Sequence, residues 1–214
     1  MQTALQTQFT KNKLAYMLRT LSHPADAFYE IRHREQGSVV LSLICVAVFA
    51  TCYTMNRIFA SFIVNDADPM SVNGLTELSS VLLLVMLFAV GNWSVTCLLN
   101  GEGRFRDIVT VTGYSLLPLI LCYVTATVVS RFVASGEEVF YTIIISLGTA
   151  WTAVLLLLGV MTVHNYTLLK TLGTLLLTVL SMFVMIFLAL LLADMINQVV
   201  GFFYGIYIEL IFRS

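Results

Sequence analysis

Long apolar runs separated by short polar stretches make up the chain from Ser38 onwards. A bilayer core of about 30 Å requires about 20 apolar residues in a helix that crosses it. Five stretches are long enough: Ser38 to about Val64, Leu75–Leu99, Ile108–Phe132, Val139–Met161 and Thr171–Ala193. None shows the alternation of a barrel strand, and backbone groups in lipid must be paired internally. The pattern therefore predicts an all-α membrane protein with five transmembrane helices and short loops.

Turn-forming residues fill the four connections between these stretches. They are Asn65-Asp66-Ala67-Asp68-Pro69, Asn100-Gly101-Glu102-Gly103, Ser135-Gly136-Glu137-Glu138 and His164-Asn165-Tyr166. We expect His164 to be solvated on the cytoplasmic side.

Composition supports membrane insertion and narrows the chemistry. Hydrophobic residues make up 59% of the 214 residues and charged residues only 11%, whereas soluble domains carry about 25% charged residues. The net charge of −1 gives no indication of a nucleic-acid partner. The four cysteines lie in or beside apolar runs without CxxC or metal-ligand spacing, so we expect no disulfide, metal site or cofactor.

The distribution of Lys and Arg predicts the orientation. With the N-terminus in the cytoplasm, eight of the 11 basic residues are cytoplasmic and three, Arg57, Arg131 and Arg213, are outside. Five spans then place the C-terminus outside. We expect a multi-pass protein of the plasma (inner) membrane.

Residues 1–37 are predicted to form a cytoplasmic juxtamembrane arm, and residues 38–214 the membrane domain. Apolar residues at helical spacing predict an amphipathic helix near the start of the arm: Leu14, Met17, Leu18 and Leu21. It either lies on the inner leaflet or only fixes the topology. A second helix is predicted over Pro24–Glu35, because Pro24 suits the first turn and cations follow near its end.

Polar residues inside the spans are few. No ionisable residue lies near a span centre, which argues against ion-coupled transport and intramembrane proteolysis. Small faces on the first span (Ser38, Ser42, Cys45, Cys52) and on the fourth (Thr142, Ser146, Thr149, Ala153) favour close helix packing, within the chain or with a partner. In the third span, Gly113 and Pro118 predict a kink, which either serves packing or frames a cavity.

The C-terminal segment is too long for one crossing. A single helix from Thr171 to Phe212 would be about 63 Å long, so we expect a bend or a break near Asp194–Gly201. One helical face carries Asp194, Asn197, Gly201, Gly205 and Glu209, and the other positions are apolar. This amphipathic segment, with its GxxxG pattern, is either an association face or an outer-leaflet interfacial helix.

Three short motifs resemble those of a known family. They are Leu21-Ser-His-Pro-Ala-Asp-Ala-Phe28, Gly101-Glu-Gly-Arg-Phe-Arg-Asp107 and Gly113-Tyr-Ser-Leu-Leu-Pro118. With five spans in about 200 residues, the chain resembles the Yip family (Ypt-interacting protein), in its compact prokaryotic form. The resemblance implies a five-span helical domain with a cytoplasmic N-terminus. Eukaryotic members act in vesicle traffic and associate with Rab-type GTPases. The motif residues that this implies are Pro24, Gly101, Gly103, Arg104, Arg106, Gly113, Tyr114 and Pro118.

Two functional hypotheses follow. The first is a non-enzymatic membrane scaffold or accessory subunit of a transport or trafficking complex. Its partners would be membrane lipids and either another integral membrane protein or further copies of itself. The alternative is a small-solute carrier or lipid-handling protein with a cavity beside Gly113–Pro118. No acid–base or nucleophile constellation supports an enzyme.

Overall fold

The computed structural model describes residues 11–34, 37–65, 69–134 and 136–212. Among these residues there is no strand. There are eight α-helices and a short 3₁₀ helix, Pro69–Ser71. The α-helices are α1 (Lys11–Ser22), α2 (Pro24–His33), α3 (Val39–Phe59), α4 (Gly74–Leu98), α5 (Phe105–Ser115), α6 (Leu117–Val129), α7 (Glu138–His164) and α8 (Leu168–Phe212). The all-α prediction is confirmed.

Five helical units are long and apolar enough to cross a membrane: α3, α4, α5 with α6, α7, and α8. The five predicted spans are therefore confirmed, with several boundaries shifted. The first span ends at Phe59 rather than near Val64, because Ala60 is extended and the Asn65 side chain donates to the Arg57 carbonyl at 2.8 Å. This bond satisfies a carbonyl that the helix end leaves open.

The third span is divided at Leu116, between α5 and α6. Pro118 occupies the first turn of α6, where its missing N–H costs nothing. The predicted kink is confirmed as a break between two helices.

The two N-terminal helices pack against the bundle. In α1, Met17 and Leu21 pack against the core, whereas Leu14 and Leu18 are exposed. Helix α2 begins at Pro24 as predicted, and its predicted end at Glu35 lies outside the described residues. Phe28 of α2 is fully buried, so α2 is part of the core rather than a helix lying along its surface.

The main core joins five helices, α2, α3, α5, α6 and α7. It consists of Phe28, Ile31, Leu41, Cys45, Val111, Tyr114, Leu117, Leu155 and Val163. Gly159 allows α7 to approach this core, because a Cβ there would contact Val111 and lie 3.4 Å from the Phe28 ring. The core holds α2 and the two halves of the third span at fixed positions.

The last helix differs from the prediction. Helix α8 runs without interruption from Leu168 to Phe212, 45 residues, so the chain has no break near Asp194–Gly201. Bilayer thickness alone does not end a helix. Good helix formers such as Leu, Met and Gln continue through the segment instead, with no proline to stop the helix. At 1.5 Å per residue, α8 is about 68 Å long.

Candidate functional site

Three segments meet at one end of the bundle: the C-terminal end of α2, the loop 99–104 and the loop 165–167. We call this the basic end, since Arg32, Arg104, Arg106 and Lys170 lie there. The loops connect α4 to α5 and α7 to α8. We call the loop 99–104, which contains Gly101 and Gly103, the glycine loop. The sequence motif Gly101–Asp107 therefore lies at the same end of the bundle as His164, the last residue of α7.

The loop 99–104 turns tightly around the end of α4. Asn100 has a positive φ of 55°, and the Gly101 N–H donates to the Thr96 carbonyl at 2.7 Å. The Tyr166 hydroxyl donates to the Leu99 carbonyl at 3.1 Å. A Cβ at Gly101 would lie 2.6 Å from His164 Nδ1. Glycine at this position is thus required by the second loop, which lies directly against the first.

His164 is buried beneath the glycine loop. Its side chain is 1% exposed, so the expectation that it is solvated is wrong. The Gly103 N–H donates to His164 Nδ1 at 3.2 Å, which places the imidazole proton on Nε2. A Cβ at Gly103 would lie 2.7 Å from His164 Cε1. Both glycines of the motif are therefore needed to enclose this histidine, whose Nε2 has no partner among the described residues.

Arg32 joins α2 to both loops. Its guanidinium donates to the Val163 carbonyl at the end of α7 and to Glu102 Oε2 at 2.6 Å. A cation is favoured at a helix C-terminus. Because its partners are 131 and 70 residues away in the chain, no local pattern could have indicated this role.

The motif arginines surround a buried carboxylate. Asp107 is 3% exposed, and its oxygens lie 3.1 Å from Arg104 Nε and 3.9 Å from Arg106 Nε. Its place in the first turn of α5 also stabilises the negative charge. The predicted motif residues Arg104 and Arg106 are thus brought together around the carboxylate of Asp107, the last residue of the same motif.

These groups border an open polar cleft of about 410 Å³. Its lining consists of Arg32, His33, Glu102, Arg104 and Asp107. Among the described residues, its lining therefore includes two guanidinium groups and two carboxylates.

Tyr166 completes the contact between the loops. Burial raises the pKa of its phenol, so the hydroxyl stays protonated and can donate. Lys170 Nζ lies 3.9 Å from the centre of the Tyr166 ring, a cation–π contact.

Gly113 and Tyr114 act in packing between α3 and α5. The space beside Gly113 is filled by Ser42, whose carbonyl oxygen would lie 2.6 Å from an added Cβ. Tyr114 is fully buried, and its hydroxyl accepts from the Ser38 N–H at 3.2 Å. This close packing argues against the hypothesis of a carrier cavity beside Gly113.

The two small faces have different surroundings. On α3, Ser38, Ser42 and Cys45 are buried within the chain. On α7 the predicted face, Thr142, Ser146, Thr149 and Ala153, is exposed. The buried positions of α7 include Gly148, Leu155 and Gly159 instead.

Two buried amides join spans and were not singled out from sequence. Asn56 donates to Thr127 and accepts from the Tyr141 hydroxyl, both at 2.8 Å. Asn92 donates to Thr178 of α8 at 3.1 Å. Their position inside apolar runs was the available signal, because unpaired amides are costly in lipid.

The predicted residues of α8 are far from the basic end along the helix. All five predicted positions are exposed: Asp194, Asn197, Gly201, Gly205 and Glu209. Gln198 donates to Asp194 at 2.9 Å, and nothing lies within 4 Å of a Cβ added at Gly201 or Gly205. Among the described residues, this face thus has no intrachain neighbour at Gly201 or Gly205.

The Yip1 domain family matches residues 18–193, which covers most of the chain. The chain belongs to the Yip family. Among curated proteins and among solved structures, none matches it. The family match includes the glycine loop and ends at Ala193, so the last part of α8 lies beyond it.

Proposed function

We propose that the protein is a non-enzymatic accessory subunit, or scaffold, that binds another integral membrane protein through the part of α8 beyond Asp194. The observation that supports this most directly is exposure. Every residue from Ile186 to Tyr207 is exposed. In the most apolar stretch of α8 only 6% of the residues are buried, whereas in the span formed by α5 and α6 the fraction is 56%.

The length of α8 supports the proposal that a partner covers part of it in addition to lipid. Transmembrane helices tilt by up to about 40°, and at that tilt about 26 residues cross a 30 Å core. Of the 45 residues of α8, about 19 then extend beyond the hydrocarbon. We call residues 194–212 the overhang.

The overhang is too apolar to stand in water. From Met195 to Phe212 its only charged residue is Glu209, and Phe202, Phe203 and Tyr204 are exposed. Exposed apolar surface of this extent marks an interaction site. An interfacial helix would have to bend onto the membrane, whereas α8 is continuous. A partner with helices of its own on the outer side of the membrane can cover the overhang.

Orientation and location belong to the same proposal. Basic residues favour the cytoplasmic side, and eight of the 11 lie in the segments assigned to the basic end or the N-terminal arm. We propose that the basic end faces the cytoplasm at the plasma membrane and that the overhang is outside.

The test uses two glycines of the overhang. The full-length tagged protein and its Gly201→Leu/Gly205→Leu variant are purified from native membranes in gentle detergent, and co-purifying proteins are quantified by mass spectrometry. We expect a stoichiometric membrane partner with the unmodified protein and at least about tenfold less with the variant, a loss of about 1.4 kcal/mol in binding.

The matched control is Gly173→Leu. Gly173 also lies on α8 and has open space at its Cβ position, but it precedes the overhang. It should retain the partner. Equal partner recovery with the double variant would overturn the overhang as the interface, and a complex containing only copies of this chain would overturn the accessory-subunit role.

A further inference from the structure

The cleft at the basic end lies at the level of lipid headgroups. Phe105 opens the third span, and its ring packs edge-on against Trp93 with centroids 5.9 Å apart. Aromatic side chains concentrate where spans meet the headgroup region. Glu102 and Arg104 directly precede Phe105 and line the cleft. A headgroup of the same leaflet can therefore reach these residues without leaving the membrane.

Hydrogen-bond acceptors line one part of the cleft. The Glu102 side chain is 59% exposed although it is paired with Arg32. His33 Nδ1 lies 3.1 Å from the Tyr29 carbonyl, so this nitrogen carries the proton in the neutral ring and Nε2 is an acceptor. Both acceptors suit a primary ammonium group, which has three N–H donors.

Guanidinium donors line the same cleft. A guanidinium has five N–H groups and matches phosphate oxygens in pairs. The contacts of Arg32 with Val163 and Glu102 use Nη1 and Nη2, and each of these nitrogens carries a second N–H. Arg104 binds Asp107 through Nε. These contacts with Glu102 and Asp107 orient the two guanidinium groups.

Charged groups of both signs line the cleft and select the ligand class. Its described lining residues include two guanidinium groups and two carboxylates, and Arg106 also lies 3.9 Å from Asp107. A purely anionic headgroup gains from the arginines but is repelled by the exposed Glu102. A headgroup with a phosphate and a nearby ammonium satisfies both sets, since its two charges are complementary to the lining.

We propose that this cleft binds a phosphoethanolamine headgroup, with the phosphate on Arg32 and Arg104 and the ammonium on Glu102 and His33. The ligand is phosphatidylethanolamine of the surrounding leaflet. A choline headgroup has the same charges but no N–H donor, so it loses the bonds to Glu102 and His33. The site does not depend on the partner interface of α8.

Lipid binding to the full-length purified protein tests the proposal. Phosphatidylethanolamine, phosphatidylcholine and phosphatidylglycerol with identical acyl chains are titrated separately, and bound lipid is counted by native mass spectrometry. We expect the ethanolamine lipid to bind about tenfold more tightly than either of the others, because one charge-assisted hydrogen bond is worth about 1.5–3 kcal/mol.

The decisive variant is Glu102→Gln, which keeps the shape and removes the charge. It should lose most of the preference for the ethanolamine lipid over the choline lipid, because only uncharged acceptors then face the ammonium group. Glu138→Gln, an exposed glutamate at the opposite end of the bundle, is the control and should keep the preference. Thermal unfolding of the Glu102→Gln protein checks that it remains folded. Absence of an ethanolamine preference, or its persistence in Glu102→Gln, would overturn the site.

A soluble source of the same chemistry is tested in parallel. Free phosphoethanolamine is added to the protein loaded with the ethanolamine lipid. A lipid site predicts no displacement at equimolar concentration, because the acyl chains add apolar contact. Displacement at equimolar concentration would assign the cleft to a soluble phosphoethanolamine compound and overturn the lipid assignment.

Discussion

Glycines in two regions of the molecule have opposite surroundings. In the bundle, a Cβ at Gly113 or Gly159, both in helices, would lie within 2.6 Å of a neighbouring side chain. In the overhang, a Cβ at Gly201 or Gly205 meets nothing within 4 Å. Glycine lowers helix stability by about 1 kcal/mol relative to alanine. The bundle recovers this cost through close contact within the chain, whereas the overhang shows no such contact.

The comparison suggests that the two regions serve different purposes. In the bundle, α2 packs into the hydrophobic core and the two loops contact each other, so the stabilising contacts lie within the chain. The overhang is a helix whose stabilising contacts lie outside this chain. Four predictions follow for the two regions, in order of decreasing effect.

The largest effect is expected at Gly113. Alanine there must displace Ser42, including its backbone, and overpacking of this kind costs about 1–3 kcal/mol. Thermal unfolding in detergent should show a clear decrease in stability. Gly173→Ala is the matched control, since its Cβ meets open space, and it should be neutral or stabilising. Equal effects of the two substitutions would contradict the packing described for the bundle.

Arg32 should come next. Arg32→Met retains the aliphatic volume but removes the bonds to Val163 and Glu102. We expect a loss of about 1–2 kcal/mol, the range for hydrogen bonds that involve a charged group, reduced for the exposure of Glu102. Hydrogen exchange should increase in the last turn of α7. Unchanged exchange there would show that Arg32 does not hold this helix end.

A smaller effect is expected at the contact between α4 and α8. Thr178→Val removes the hydroxyl that accepts from Asn92 and leaves the amide without that partner. Hydrogen bonds between membrane helices average about 0.6 kcal/mol, so chemical denaturation should show a loss near this value. In an Asn92→Leu background the same substitution should have almost no effect. Additive losses would mean that the two residues are not coupled.

The smallest effect is expected from removing the overhang. Truncation after Ala193 deletes no residue of the buried core, so the unfolding temperature of the isolated protein should hardly change. A decrease comparable to that of Gly113→Ala would show that the overhang is packed within the chain, and the contrast between the two regions would fail.

The sequence predicted the fold well because bilayer thickness dictates the length of apolar runs. The five spans, the break before Pro118 and the start of α2 at Pro24 followed from local patterns. The sequence located the glycine loop but could not predict its contacts. His164 is buried by this loop, which is about 60 residues away in the chain. Arg32 was missed for the same reason.

The two errors also have physical causes. A bend or a break in α8 was inferred from the bilayer alone, although helix propensity acts on the chain whether or not lipid surrounds it. His164 was expected in solvent because it follows a span, but Gly101 and Gly103 let the other loop cover it. On α7, the small face that the sequence offered is exposed and a different face carries Gly148 and Gly159.

Site-specific photocrosslinking from the overhang tests the central claim most directly. A photoreactive phenylalanine analogue replaces Tyr204, which is exposed on α8, and in a separate protein it replaces Phe140, which is exposed on α7. After irradiation of native membranes, we expect a discrete adduct of one additional membrane protein from position 204 and only lipid adducts from position 140. Lipid adducts alone from both positions would contradict the account, because the overhang would then be covered by the membrane and not by a partner.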